Sequence, residues 1–372
     1  MKLLHLISRI VVGITFIFSG VVKGIDPLGT AYRFEDYFLV WGTPWMLPAA
    51  LTLSILMSTL EFTLGVVVLL NLKPRINSWL LLVVMLFFTG LTLNDAIFDP
   101  VPDCGCFGDA IILTNWQTFY KNIILLIFTL ILFAYRNKTR DRYGNLVSYG
   151  SAVLIVAMFA GFSLWNYNHL PILDFREWKK GNKMYVENPQ PVKYYLIYRN
   201  KATGEIQEYL SPDYPYNDSV WMQQWEFVEQ RVENPNISPG STLQILDEEG
   251  NDFTETFIRH PGCQYIVISW DLEAADTTAL KNLNEFALKT EEDGCGFIAL
   301  TATLPEKVEE IKQQLGLSYE FFYADDIVLK SMVRANPGLM LMDSGIVIDK
   351  WHFNDLPAYE EVILTYPPKP AH

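Results

Sequence analysis

Apolar residues come in long runs through the first 165 positions and in short, regularly spaced ones afterwards. Five runs stand out, at residues 3–22, 45–72, 76–98, 116–135 and 146–165. Each holds about the 20 apolar residues that an α-helix needs to cross a bilayer, so each is predicted to be a transmembrane helix. The first, interrupted by Arg9, also has the length of a secretory signal. Its end, Ser19-Gly20-Val21-Val22-Lys23, continues the segment and offers no small-x-small cleavage site, which favours a retained helix. Between residues 24 and 43, Tyr32, Phe34, Tyr37, Phe38 and Trp41 are set among polar positions. That pattern fits an amphipathic helix in the membrane interface, or equally a re-entrant loop with an aromatic belt.

Beyond residue 166 the pattern shortens. Residues 192–198 alternate like a strand, 200–204 read as a turn, and 205–210 as the partner strand. Residues 220–232 read as helical or irregular, and 243–246 with 252–257 as a second hairpin. From Gln264 the periodicity sharpens: strands at 264–270 and 296–301, helices at 277–290, 305–315 and 325–333, then strands at 339–342 and 346–351. Strands alternating with helices predict a layered α/β domain. The expected fold is therefore an α-helical membrane bundle followed by an α/β domain. Its segments are a four-helix bundle (1–135), a loop and fifth anchoring helix (136–166), a mixed β-rich stretch (167–260) and the α/β domain (261–372).

Charge follows the same division. Up to Asn166 there are 11 Lys and Arg against 9 Asp and Glu; from Tyr167 onward there are 17 against 33. A near-neutral apolar half and an acidic half read as membrane and soluble parts. Acidity of this degree excludes nucleic acid as a partner, because phosphate binding needs clustered Lys and Arg. Lys73 and Arg75, and then Arg136, Lys138, Arg140 and Arg142, mark two loops as cytoplasmic by the positive-inside rule. The 99–115 loop has Asp99, Asp103 and Asp109 and no Lys or Arg, so it faces outward, as does everything after Trp165. The N-terminus is then cytoplasmic. Within the spans, Arg9 and Glu61 are costly charges that can pair, either as a packing device or as a group that handles protons or a quinone. Asn94 and Asp95 read as ordinary polarity at a helix end.

The outward loop carries the chemistry. Asp103-Cys104-Gly105-Cys106-Phe107-Gly108 holds two of only four cysteines. Residues two apart have Cα atoms about 5.5–7 Å apart, within or at the edge of the disulfide range. Gly105 lets the backbone close the small ring. Three readings stay open: a redox-active pair, a structural disulfide or inert thiols, and half of a tetrahedral metal site. The last is the weakest, because no His lies nearby. No zinc motif, Gly-rich nucleotide loop or Ser-His-Asp pattern is present.

Arg9, Gly13, Phe18-Ser19-Gly20, Lys23, Asp26-Pro27 and Glu61-x-x-x-Gly65 resemble the start of DoxX-family proteins. Cys104-Gly105-Cys106-Phe107-Gly108, followed by Trp116 and Asn122, resembles the MauE branch of the same four-helix superfamily. The DoxX resemblance implies quinone-linked electron transfer, which makes a quinone the one cofactor in view. The MauE resemblance implies maturation of a disulfide-rich periplasmic client, and with it a bacterial inner membrane and a periplasmic C-terminal domain. Residues 264–352 resemble a thioredoxin fold of the TlpA/peroxiredoxin branch, with Pro337 in the position of that fold's cis-proline. Its Cys-x-x-Cys positions fall near Ala274 and Thr277, where no cysteine stands. The domain is therefore not expected to be a thiol oxidoreductase by itself. The resemblance makes the strands after Cys263 and Cys295 parallel neighbours, which implies a structural Cys263–Cys295 disulfide. His260 beside Cys263 supports neither a metal nor a catalytic reading.

Two functions remain, with enzymatic activity open. One is a membrane redox accessory that handles dithiol, disulfide or quinone electrons at Cys104 and Cys106 and matures a periplasmic client. The other is a non-enzymatic assembly protein presenting a degenerate thioredoxin-like domain. A transporter is weaker, since little charge beyond Arg9 and Glu61 lies along the spans.

Overall fold

A computed structural model describes residues 2–101, 103–139, 141, 143–188, 190–235, 240 and 242–367. Arg140 and Arg142, used above to orient the chain, lie outside them. Contacts divide the chain into two units. The first comprises Met1–Arg176 with Val333–Gly338 and Trp351–Leu356; the second comprises Glu177–Met332, Leu339–Lys350 and Pro357–His372.

The first unit is helical. Five helices are long and apolar enough to cross a membrane, at Leu3–Ile25, Pro44–Leu69, Pro74–Phe98, Asn115–Tyr135 and Asn145–Asn168. Helix α1 (Lys2–Ile25) is followed at once by α2 (Pro27–Val40). Asp26 caps α2 by accepting from the Gly29 amide at 2.9 Å, and Pro27 takes the first helical position, where its missing N–H costs nothing. The aromatic stretch at 24–43 is thus a helix and not a re-entrant loop. The expected second span starts as a 3-10 turn over Pro44–Ala49, a segment that holds Pro48, and becomes regular in α3 (Ala50–Leu69). Helices α4 (Pro74–Phe98), α5 (Asn115–Tyr135) and α6 (Asn145–Asn168) complete the unit. A capping box between Thr114 and Gln117 starts α5.

Helices α1 and α3 run antiparallel in close contact. A Cβ on Gly65 would lie 2.6 Å from the Ile17 amide nitrogen, and one on Gly20 would lie 2.6 Å from that of Phe62. Small residues permit this approach, which brings dispersion and polar contacts into play where lipid removes the hydrophobic drive. Val12, Phe16, Leu64, Val67, Leu81, Met85 and Leu125 form the apolar core around it. Within the same unit Arg334 pairs with Asp26 at 2.9 Å and with Asp109 at 3.2 Å. The Asn336–Pro337 peptide is cis.

The second unit is mixed α/β. Strands β1 (Lys193–Asn200) and β2 (Ile206–Leu210) form the expected hairpin. Residues 220–224 are helical as expected, in a short α7 (Ser219–Gln224) capped by Asp218, but 225–232 depart from expectation as strand β3 (Trp225–Glu233), which pairs antiparallel with β1. Cross-strand aromatic packing favours the strand, with Tyr198 of β1 against Phe227 of β3 at 5.7 Å between ring centroids, while Trp221 of α7 packs on the same ring at 4.7 Å. The second expected hairpin is reduced to a single bridge between Leu246 and Asp252, after which the chain turns into α8 (Thr254–Ile258). Asp252 accepts from the Thr254 amide at 2.8 Å in the turn that leads into it.

Then follow β4 (Cys263–Ile268), α9 (Thr277–Glu292), β5 (Gly296–Thr301), α10 (Pro305–Leu315), β6 (Phe321–Tyr323), α11 (Asp326–Met332), β7 (Gly338–Asp343), β8 (Ile346–His352) and α12 (Tyr359–Thr365). The five-stranded sheet has the order β6-β5-β4-β7-β8, with β4, β5 and β6 parallel. Strand β6, three residues long, was not expected from the pattern. Ile266, Val267, Leu300, Met340 and Val347 are buried in this sheet, and Leu280 and Leu283 of α9 are buried with them.

Candidate functional site

The cysteine loop is held by its own backbone and by its neighbours in the first unit. Gly105 and Gly108 adopt φ of +61° and +51°, a region open to glycine at little cost. A Cβ at Gly105 would also meet Arg33 Cγ at 3.0 Å. Asp103 accepts from the Gly105 amide at 2.8 Å and is itself paired with Arg33 at 2.8 Å. Phe107 packs edge-on against Phe18 at 5.3 Å and carries Lys121 Nζ over its ring at 4.3 Å.

These constraints bring Cys104 Sγ and Cys106 Sγ to 2.9 Å, both half-buried and unbonded. The sulfurs lie within hydrogen-bond distance of each other. The Cys104 thiol donates to Cys106, and that hydrogen bond, aided by Lys121 and Lys23 against the opposing effects of burial and Glu61, lowers the Cys106 thiol to about 6. Donating that hydrogen bond, with burial added, pushes Cys104 above the ordinary thiol range. Thiolate rather than thiol is the reactive form. Maleimide labelling of the reduced protein is therefore expected to rise through a midpoint near pH 6. The Cys106 thiolate, and any stability it contributes, is lost as pH falls through that value. In Cys104→Ala the midpoint should climb toward that of an ordinary thiol, and an unchanged midpoint would contradict that hydrogen bond.

Beneath the loop lies a buried ion pair. Lys23 Nζ sits 2.8 Å from both Glu61 oxygens and 3.1 Å from Ser19 Oγ. Ser19 Oγ lies 2.7 Å from Glu61 Oε2 and 2.7 Å from the Cys106 carbonyl oxygen, so the pair is tied directly to the loop. Lys23 and Glu61 expose only 3% and 4% of their surfaces. On α4, Asp95 accepts from the Tyr37 hydroxyl at 2.7 Å. Among the described residues no group of three or more His, Cys, Asp or Glu side chains gathers to hold a metal ion.

Glu61 therefore does not meet Arg9. In the antiparallel crossing of α1 and α3, Glu61 lies level with Ser19 and Lys23. Arg9 lies about 15–21 Å from those two residues along α1, at 1.5 Å per residue. Its guanidinium donates to the carbonyls of Val68 and Leu69 at the C-terminal end of α3. In the second unit, Cys263 and Cys295 are bonded to each other with Cα atoms 5.0 Å apart. Pro337 follows the cis peptide bond. From sequence, Lys23 is named only as part of the DoxX-like start, and Glu61 is paired with Arg9 instead. The available signal was its spacing of four from Ser19, which places both on one face of α1.

Residues 1–135 match the family model for methylamine utilisation protein MauE. The matched part runs from α1 through α5 and includes the cysteine loop, Lys23, Glu61 and Lys121. Together with its five apolar helices, this match makes the chain an integral membrane protein with a MauE-like N-terminal part. No curated protein and no solved structure matches the chain.

Proposed function

We propose that the protein is a membrane redox accessory in which Cys104 and Cys106 cycle between dithiol and disulfide while oxidising a client on the outer face. The observation that carries this reading is the pair of sulfurs at 2.9 Å, one of them held as a thiolate near neutral pH. In the oxidised state a client thiolate attacks one sulfur of the Cys104–Cys106 bond. A second client thiolate then resolves the mixed disulfide, leaving the client oxidised by two electrons and the loop as two thiols.

Loop charge supports an N-terminus in the cytoplasm and a C-terminal domain in the periplasm of a bacterial inner membrane. The family description supports a client used in methylamine utilisation. The sheet order and three parallel strands in succession support a thioredoxin-like fold for the α/β part. Ala274 and Thr277 stand where that fold carries its cysteines, which supports a client-holding role. The same precedent gives the Cys263–Cys295 bond a structural role.

Maleimide mass-tagging in cells, with and without mild reductant, tests the reading. Cys104 and Cys106 should gain two tags under mild reductant while Cys263 and Cys295 gain none. Equal resistance of all four cysteines would sink it.

A further inference from the structure

Two carboxylates flank the cysteine pair, and an arginine holds each. Before the pair, Asp103 meets Arg33 of α2 at 2.8 Å. After it, Asp109 lies in the 3-10 turn Gly108–Ala110 and meets Arg334 at 3.2 Å. The same guanidinium donates through Nε to both oxygens of Asp26 at 3.0 Å. Asp26 caps α2, and Arg33 lies two turns further along that helix, about 10 Å at 1.5 Å per residue. The loop is therefore pinned to α2 on both sides of the sulfurs. Between the pins, Asp103 accepts from the Gly105 amide at 2.8 Å, and the Gly108 amide donates to the Gly105 carbonyl at 3.0 Å. Each pin thus acts on the short backbone that spaces Cys104 from Cys106.

The two pins differ in strength. Arg33 exposes 31% of its side chain, against 7% for Arg334. Solvent screens the first pair, whereas removing one partner of a buried pair strands the other's charge. Arg334 also has a tight seat: its guanidinium lies 5.2 Å from the Tyr32 ring centroid, and a Cβ on Gly29 would fall 2.9 Å from its Nη2. A planar fork can reach two carboxylates at once, which a point-charged ammonium does poorly. Arg334 stands 225 positions after Asp109, outside the residues that match MauE.

We infer that Arg334 is the positioning residue of the cysteine loop: it joins Asp109 to Asp26 and so holds the Cys104 and Cys106 sulfurs in contact. The inference rests on the dithiol reading of the loop and adds a residue that the MauE-like part does not contain. Without this pin the sulfurs drift apart, and Cys106 loses the hydrogen bond that favours its thiolate.

The test uses the full chain, reduced, in lipid nanodiscs. Thiols are read by maleimide labelling across pH, and exchange by glutathione disulfide as the probe. Arg334→Gln and Arg334→Lys should both raise the labelling midpoint from near 6 by about one pH unit or more, which cuts labelling at pH 5 about tenfold. The lysine variant keeps the charge and loses the fork, so it separates geometry from charge. Asp109→Ala leaves the buried Arg334–Asp26 pair in place. It should show the same shift in a protein that extracts and unfolds like the parent, which excludes lost folding as the cause. Arg33→Gln removes only the exposed pin and should shift the midpoint less. The charged groups facing Cys106, namely Lys23 of α1, Glu61 of α3 and Lys121 of α5, are kept in every variant. A midpoint that stays near 6 in Arg334→Gln and Asp109→Ala, or that Arg334→Lys leaves at the parent value, overturns the assignment. The expected shifts in a protein whose parent form never exchanges with glutathione disulfide would keep the pin and remove the dithiol reading.

Discussion

Lys23→Met should destabilise the protein by about 3–5 kcal/mol, the cost of leaving a buried carboxylate without its cation. The Lys23–Glu61 pair is enclosed in the helical unit, and both Glu61 oxygens rely on the lysine at 2.8 Å. Methionine matches the lysine stem in length and apolar character, so the lost charge dominates the effect. Glu61→Gln should cost less, because an amide can still bond with Ser19. The double variant Lys23→Met/Glu61→Leu should recover most of the loss, since an apolar pair has no charge to desolvate. Unfolding in mixed micelles by SDS titration measures all three. Lys23 also helps hold Cys106 down, so the labelling midpoint near pH 6 should move up in Lys23→Met. Stability equal to the parent would show that the pair is not held as ions; an unmoved midpoint would show that it does not influence the loop.

Gly65→Leu should prevent assembly of the bundle. Any Cβ at this position falls 2.6 Å from the Ile17 amide nitrogen and 2.8 Å from the Gly13 carbonyl oxygen. Both obstacles are backbone, so α1 and α3 must separate rather than rotate a side chain away. Overpacking alone costs about 1–3 kcal/mol, and separation also pulls Glu61 from Lys23 and Ser19. The combined loss is expected to exceed that of Lys23→Met. Gly90→Leu on α4, where a Cβ meets nothing within 4 Å, is the control and should extract and unfold like the parent. Equal recovery of the Gly65 and Gly90 variants would refute close packing of α1 on α3.

The cysteine loop shows how far residue patterns reach. Two thiols flanking a glycine in a polar gap between apolar runs could be found by eye, and the run lengths located every span within a few residues. Local signals of this kind depend on neighbours in the chain. The helical reading held for residues 220–224 but failed for 225–232, where Phe227 packs on Tyr198 of the neighbouring strand, a partner known only once β1 and β3 are paired. The hairpin expected at 243–246 with 252–257 failed as well: alternation was present, but from Thr254 the chain turns into a helix.

The sequence alone determined that five helices can cross a membrane, that an acidic α/β unit follows, and that two cysteines sit together between the third and fourth apolar runs. Those conclusions need only hydrophobic length, charge and spacing. The tertiary structure decided that Glu61 meets Lys23 rather than Arg9, that Ser19 links this pair to Cys106, and that Arg334 joins Asp26 to Asp109 beside the cysteine loop. The first two depend on the antiparallel register of α1 on α3, and the third on the placement of residues 333–338 in the first unit. That register comes from glycines meeting backbone across a helix crossing, Gly65 against Ile17 and Gly20 against Phe62, contacts between residues far apart in the chain that only small residues allow.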